Sequence, residues 1–154
     1  MRPGDVLERA LQEAELQAVE SALPTPGAAE SLAACQSSGK LVAIVSNNYA
    51  EAVVRYLARN GLAARVGHVE GRDPSDPNLM KPSPHLIENA MRALAVRPEA
   101  CVFLGDQTSD MEAGRAAGAH TIGYANKPGK ADALAVAGAD IVVETMTEVA
   151  EAIR

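Results

Sequence analysis

Apolar and polar residues follow one another along the chain in blocks that predict helices and strands in turn. Residues 5–22 carry apolar side chains at helical spacing, which predicts an amphipathic helix. The apolar stripe of this helix consists of Leu7, Leu11, Ala14 and Ala18. Residues 41–45 are instead continuously apolar and rich in branched side chains, a pattern that predicts a buried strand in a parallel sheet covered on both faces.

The same alternation continues to the end of the chain. Further helices are predicted at residues 28–37, 51–59, 85–94, 111–117, 130–136 and 148–153, and further strands at residues 65–69, 101–104, 121–124 and 140–143. This alternation predicts an α/β fold, a Rossmann-like three-layer sandwich with a mostly parallel sheet. Ligands of such folds bind at the carboxyl ends of the strands, so polar residues near those ends are the candidates for chemistry.

The composition is that of a folded domain and argues against several functions. Of the 154 residues, 47% are hydrophobic and 22% are charged, which is enough for a packed core. A net charge of -6 and an aromatic content of 3% argue against a nucleic-acid partner. No apolar stretch has the length of a membrane-spanning helix and the first residues lack the pattern of a signal peptide, so we expect a cytoplasmic protein without a membrane partner.

Two polar segments lie beside predicted elements, and each has two interpretations. Ser46 and Asn47 come between a strand and a helix, where a hydroxyl and the free amides of the helix can hold a phosphate or only cap the helix. Lys81 precedes Pro82 in the loop before the helix at 85–94. Its ammonium group is either directed inward at an anion or left in solvent.

A third segment contains two carboxylates. Asp106 closely follows the strand at 101–104, and Asp110 lies four residues later at the start of a helix. Two carboxylates in this arrangement can converge on a hard cation such as magnesium. Alternatively, Asp106 stabilises a turn and Asp110 caps the helix.

Together the three segments resemble the haloacid dehalogenase (HAD) superfamily, in its phosphoglycolate phosphatase-like and phosphoglucomutase-like branch. The matching segments are VSNN at 45–48, KPSPH at 81–85 and GDQTSDMEAGRAAGAH at 105–120, and the later GYANKPGK is similar to the last loop of these enzymes. The resemblance implies a hydrolase, a phosphatase that acts on small phosphorylated metabolites through an aspartyl-phosphate.

The resemblance also implies a role for each candidate residue. Lys81, Asp106 and Asp110 would be catalytic, with Lys81 neutralising the nucleophile and the transferring group. Ser46, Asn47 and Lys81 would bind phosphate, and Asp106 would hold magnesium with support from Asp110. These roles suit phosphoryl transfer, which depends mainly on positioning and on charge neutralisation.

The opening motif of the family is absent. Its members carry an apolar strand that ends in Asp-x-Asp, where the first aspartate is the nucleophile and a magnesium ligand and the second is the general acid and base. This chain contains no Asp-x-Asp. We therefore expect a truncated core without its first strand and most of its cap, with residues 1–23 as a cap remnant and residues 24–154 as the core domain.

Three functional interpretations follow from this departure. The chain is a phosphatase by lineage that binds magnesium weakly and is inactive or impaired alone, a non-catalytic domain that binds phosphate or another partner, or an enzyme completed by a partner chain that supplies the nucleophile strand. In the family that strand lies in the middle of the sheet. We therefore expect residues 41–45 to pair directly with residues 101–104, or another segment or a second chain to fill the slot, with a tendency to self-associate.

Overall fold

A computed structural model describes all 154 residues of the chain. The helices are α1 (Pro3–Ala18), α2 (Ala28–Ser37), α3 (Ala50–Arg59), α4 (His85–Leu94), α5 (Thr108–Ala116), α6 (Lys130–Ala137) and α7 (Met146–Ile153). The strands are β1 (Ala43–Val45), β2 (His68–Glu70), β3 (Val102–Gly105), β4 (His120–Tyr124) and β5 (Ile141–Val143). The alternation confirms the predicted α/β fold class. None of the helices combines the length and the apolarity that a membrane crossing requires.

The five strands form two parallel sheets rather than one. In the first sheet β1 pairs with β2, and Ala43 lies opposite His68. In the second sheet the order is β3, β4, β5, and Val102 lies opposite His120. Helices connect the successive parallel strands, as such crossovers require. The carboxyl ends of the strands therefore point the same way within each sheet. Ser46, Asn47 and Asp106 follow β1 and β3, Lys81 lies in the loop between β2 and α4, and Asp110 lies in the first turn of α5.

Direct pairing of β1 with β3, the first of the three expected arrangements, is wrong, because no hydrogen-bonded ladder joins the two sheets. No other strand of the chain fills the slot either, and filling by a second chain stays a prediction. One core cluster joins α4 to the region of α5, and Val45 of β1 and Phe103 of β3 both pack against it. The cluster contains Ile87, Met91, Ala113 and Ala117. The two strands therefore share a core although their facing edges are unpaired.

Strand β1 is less buried than the sequence predicted, and one of its edges is unpaired. All three residues of β1 are half-buried, and Leu41, which was expected inside the strand, is 65% exposed. The strand is shorter than predicted because its partner β2 offers only three residues for pairing. The second sheet is better covered, since Met111 of α5 and Leu134 of α6 form a core cluster with Ala125 after β4.

Helix α1 contacts the core through its polar face. None of its residues is buried, and in its apolar stripe Leu7 is 63% exposed and Leu11 is 43% exposed. Glu8 and Glu15 instead face the core, where they bind an arginine described below. The helix ends at Ala18, before the predicted end at residue 22. The structure therefore attaches this helix through charged groups rather than through apolar burial.

Candidate functional site

Four of the five candidate residues line one cavity at the carboxyl ends of β1 and β3. The cavity has a volume of about 370 Å³ and is bordered by Ser46, Lys81, Asp106 and Asp110, while Asn47 is not among its lining residues. Val45 and Leu104, from the two strands that do not pair, also border it. The parallel strands and their following loops thus bring together residues that are up to 64 positions apart in the chain.

The central contact of the cavity is an ion pair. The Nζ atom of Lys81 lies 2.6 Å from Oδ1 of Asp110, and the side chains are only 11% and 7% exposed. The same Nζ lies 3.5 Å from the carbonyl oxygen of Val45 and 5.5 Å from the centre of the Phe103 ring. The lysine therefore points inward and is not a solvated surface residue. Its ammonium group supplies a fixed positive charge beside the cavity.

Asp110 has a structural role as well as this contact. Its Oδ2 accepts a hydrogen bond of 3.0 Å from the backbone N–H of Gln107, so the carboxylate also caps α5. Gly105 makes room for it, since a Cβ atom at Gly105 would lie 2.3 Å from the Cβ of Asp110. Because Lys81 and Gln107 engage both carboxylate oxygens, Asp110 holds the lysine and the helix start in one geometry.

The structure gives Asn47 a contact other than the expected one with phosphate. Its Oδ1 accepts a 2.9 Å hydrogen bond from the backbone N–H of Lys81, and its Nδ2 donates a 3.3 Å bond to the carbonyl oxygen of Lys81. The side-chain amide is thus occupied with the lysine backbone. The neighbouring Ser46 does border the cavity, and its Oγ accepts a 3.1 Å bond from the N–H of Asn48, which leaves its hydroxyl hydrogen free to donate.

Asp106 is held by two residues from the loop and helix after β4. The Nδ2 of Asn126 donates to its Oδ2 at 3.2 Å, and the Nζ of Lys130 lies 3.1 Å from its carbonyl oxygen and 3.5 Å from the same carboxylate oxygen. Neither residue was predicted as part of the site, although both lie in the GYANKPGK segment. The Asp106 side chain remains 39% exposed.

The cavity presents one accessible carboxylate to a magnesium ion. Magnesium requires near-octahedral coordination by oxygen atoms. No group of three or more His, Cys, Asp or Glu side chains is placed to hold a metal ion. The carboxylate of Asp110 is occupied by Lys81 and Gln107, which leaves Asp106 as the accessible carboxylate at the cavity.

Next to this site lies a buried charge cluster that sequence reasoning missed. Arg72 follows β2, and its side chain is 6% exposed. Its Nη2 and Nε bind the carboxylate of Glu8 at 2.8 and 3.1 Å, and its Nη1 lies 2.6 Å from Oε1 of Glu15. The only signal in the sequence is the spacing of Glu8 and Glu15, seven residues or about two helical turns apart on α1.

These ion pairs make the attachment of α1 sensitive to pH. The hydrogen bond from Arg72 is the main cause that lowers the pKa of Glu8 below 4.5, and the hydrogen bond to Glu8 is the main cause that raises the pKa of Arg72. A depressed carboxyl pKa stabilises the fold fully above the unfolded value, and this stability is lost as the pH falls through the folded value. We therefore expect acidification to weaken the attachment of α1, as the pH falls from the ordinary range of a glutamate through the lowered pKa of Glu8.

Chemical denaturation at a series of pH values measures this effect. The free energy of unfolding of the unmodified chain should decline more steeply on acidification than that of Glu8→Gln, because the glutamine has no carboxylate to protonate. Glu13→Gln is the matched control, because Glu13 is an exposed glutamate of the same helix and should leave the pH dependence unchanged. Equal pH profiles for the unmodified chain and Glu8→Gln would contradict the role given to this ion pair.

Comparison with known proteins identifies relatives by family, by sequence and by structure. The family model of haloacid dehalogenase-like hydrolases matches residues 3–118. The phosphoglycolate phosphatase of Salmonella typhimurium is 26% identical over 136 residues, which are 88% of this chain and 53% of that protein. Pyrophosphatase PpaX of Halalkalibacterium halodurans is 31% identical over 104 residues, which are 66% of this chain and 47% of that protein.

Solved structures agree with this relationship. The crystal structure of a HAD family hydrolase from Deinococcus radiodurans R1, with bound phosphate and sodium, is 33% identical, with a TM-score of 0.72 over 96% of this chain and 66% of that chain. This chain spans about half the length of the curated relatives that it matches. Because the family model covers most of the chain and the fold agrees, the chain belongs to the haloacid dehalogenase-like hydrolase family.

Proposed function

We propose that this chain forms the phosphate-binding part of a phosphatase for small phosphorylated metabolites. The observation that carries the proposal is the inward-pointing Lys81, held at 2.6 Å by Asp110 in a cavity that Ser46 and Asp106 also border. The names of two relatives, a phosphoglycolate phosphatase and a pyrophosphatase, and the phosphate bound in the Deinococcus structure support a phosphorylated ligand.

Each of the five candidate residues has a distinct part in binding the phosphoryl group. The free hydroxyl hydrogen of Ser46 donates to a phosphate oxygen, and the ammonium group of Lys81 neutralises its negative charge. Asp110 and Asn47 are positioning residues that hold the side chain and the backbone of Lys81. Asp106, oriented by Lys130 and Asn126, presents the accessible carboxylate. Preorganised charges of this kind require little rearrangement when the ligand binds.

We infer that the chain alone lacks the group that would attack phosphorus. Covalent phosphoryl transfer requires a nucleophile that forms and then releases a phosphoenzyme. The sequence contains no Asp-x-Asp, the motif that carries the aspartyl nucleophile of the family. The facing edges of β1 and β3 are unpaired, which favours completion of the site by a strand from another polypeptide. The same edges would promote self-association. A non-catalytic phosphate-binding domain is the second candidate function, and it needs only Ser46 and Lys81.

Binding of inorganic phosphate, measured by calorimetry, tests the proposal. We expect Lys81→Met to weaken binding by about tenfold or more, because a charge-assisted hydrogen bond contributes about 1.5–3 kcal/mol. Ser46→Ala, which removes one donor without unpairing Asp110, should weaken it less. Lys40→Met is the matched control, since Lys40 is exposed and outside the cavity. Unchanged affinity in both cavity variants would contradict the proposed function.

An activity assay addresses the missing nucleophile. We expect negligible hydrolysis of p-nitrophenyl phosphate by the chain alone and only weak magnesium binding in the absence of phosphate, because few carboxylates are available. Magnesium-dependent hydrolysis that Asp106→Asn abolishes would mean that the chain is active without a partner. Tight magnesium binding without phosphate would contradict the weak metal site.

A further inference from the structure

We propose that Arg72 is a positioning residue that couples the docking of helix α1 to the geometry of the phosphate site. This inference rests on the proposed function and adds to it a residue and a helix that do not touch the cavity. The path runs from α1 through Arg72 to the loop of Ser46–Asn48, and from that loop to Lys81. Each step of the path is a hydrogen bond in the structure.

The first step joins α1 to Arg72. The guanidinium binds Glu8 through two nitrogens and Glu15 through a third, at distances between 2.6 and 3.1 Å. Since α1 contributes no buried residue, these charged contacts are its main attachment to the core. The planar fork of arginine has the geometry for such bidentate pairing, which the single ammonium group of lysine cannot reproduce.

The second step joins Arg72 to the loop that follows β1. Its Nη1 donates to the carbonyl oxygen of Asn47 at 3.3 Å, and its backbone N–H donates to the carbonyl oxygen of Asn48 at 3.0 Å. Glu15, itself bound to Arg72, accepts a 2.7 Å bond from the backbone N–H of Tyr49. Two successive peptide units, 47–48 and 48–49, are thus held by Arg72 and its partner carboxylate.

The loop has little room to relax independently of Arg72. Gly71 passes so close to the start of α3 that a Cβ atom there would lie 2.5 Å from the backbone nitrogen of Ala50. A shift of Arg72 therefore moves the loop that carries Ser46. Close-packed interiors transmit such shifts because they cannot deform continuously.

The last step reaches the lysine. The side-chain amide of Asn47 binds both the N–H and the carbonyl oxygen of Lys81, so a displaced Asn47 displaces the backbone from which Nζ extends to Asp110. The docked and undocked positions of α1 are two states with different lysine geometry. A phosphate that binds the docked geometry more tightly stabilises the docked helix by the same factor, by reciprocity of coupling.

The test compares Arg72→Met with Arg72→Lys in the full chain. We expect Arg72→Met to weaken the binding of inorganic phosphate by about fivefold or more, at the lower end of the range for coupled sites. Arg72→Lys keeps the positive charge but lacks the planar guanidinium group. Its phosphate affinity should therefore lie between those of Arg72→Met and the unmodified chain. Arg55→Met is the matched control, because Arg55 pairs only with Glu51 on the surface and is 57% exposed.

A second measurement distinguishes an effect of Arg72 on the position of Asn47 and Lys81 from an effect on the stability of the fold alone. The NMR signals of the Asn47 side-chain amide and of the Lys81 amine should shift in Arg72→Met without added phosphate, and Arg55→Met should leave both unchanged. Release of α1 with unchanged signals and unchanged phosphate affinity would overturn the inference. If the unmodified chain binds no phosphate, the proposed function fails, whereas the Asn47 signal still decides whether Arg72 positions the loop.

A milder variant serves if Arg72→Met does not fold. The double substitution Glu8→Gln with Glu15→Gln keeps Arg72 and removes both partner charges. We expect it to shift the Asn47 signal and to weaken phosphate binding in the same direction as Arg72→Met. Glu13→Gln, on the exposed side of α1, should do neither. An Asn47 signal that does not respond to the double substitution would count against coupling.

Discussion

Asp110→Ala is expected to destabilise the chain by about 3–5 kcal/mol, because removing one partner of a buried ion pair leaves the other charge without compensation. The uncompensated group is the ammonium of Lys81, whose side chain is only 11% exposed. The substitution also removes the acceptor of the Gln107 backbone N–H at the start of α5. The change in unfolding free energy is measured by urea denaturation.

Two further variants make this result specific. Asp110→Asn retains an oxygen that can accept from Gln107, so it should cost less than Asp110→Ala. Glu112→Ala is the matched control, because Glu112 is an exposed acidic residue of the same helix, where substitutions usually change stability by less than about 0.5 kcal/mol. If Asp110→Ala unfolds at the same urea concentration as the unmodified chain, the pair with Lys81 contributes nothing to the fold.

Met111→Ala is expected to cost about 2–5 kcal/mol, since it removes a large side chain from a close-packed core and leaves a cavity. Met111 is 0% exposed and packs with Leu134 and Ala125, so the cavity would lie between α5, α6 and the loop after β4. That loop continues into Asn126, which orients Asp106. Thermal denaturation of the variant measures the loss.

Val136→Ala is the control for this prediction. Val136 lies on α6, like Leu134, but is 89% exposed, so its truncation creates no cavity. We expect a change of less than about 0.5 kcal/mol. Similar losses for Met111→Ala and Val136→Ala would contradict the assignment of Met111 to the core.

The α/β class was predictable because it rests on local periodicity. Alternating helical patterns and short branched runs locate all seven helices and all five strands of the structure. The ends were less predictable, since the extent of a strand depends on its partner. Residues 41 and 42 have strand composition, yet β1 begins at Ala43 because its ladder with β2 spans three residues.

The candidate site was predictable to the extent that it depends on strand ends. Ser46 and Asp106 immediately follow parallel strands, and parallel order alone brings such residues to one edge of the fold. The partner of each side chain was not predictable. Asn47 and Ser46 are adjacent polar residues, but the amide of Asn47 binds the backbone of Lys81 whereas Ser46 borders the cavity.

The sequence by itself determined the order of elements and indicated four of the residues that border the cavity. The order of elements follows from short-range patterns, and those patterns also mark the polar residues beside the predicted elements. Only the tertiary structure decided that β1 and β3 stay unpaired, because strand pairing depends on how elements distant in the sequence pack. It also decided that Arg72 pairs with glutamates 57 and 64 residues away. Such contacts depend on where distant elements meet, which no local pattern encodes.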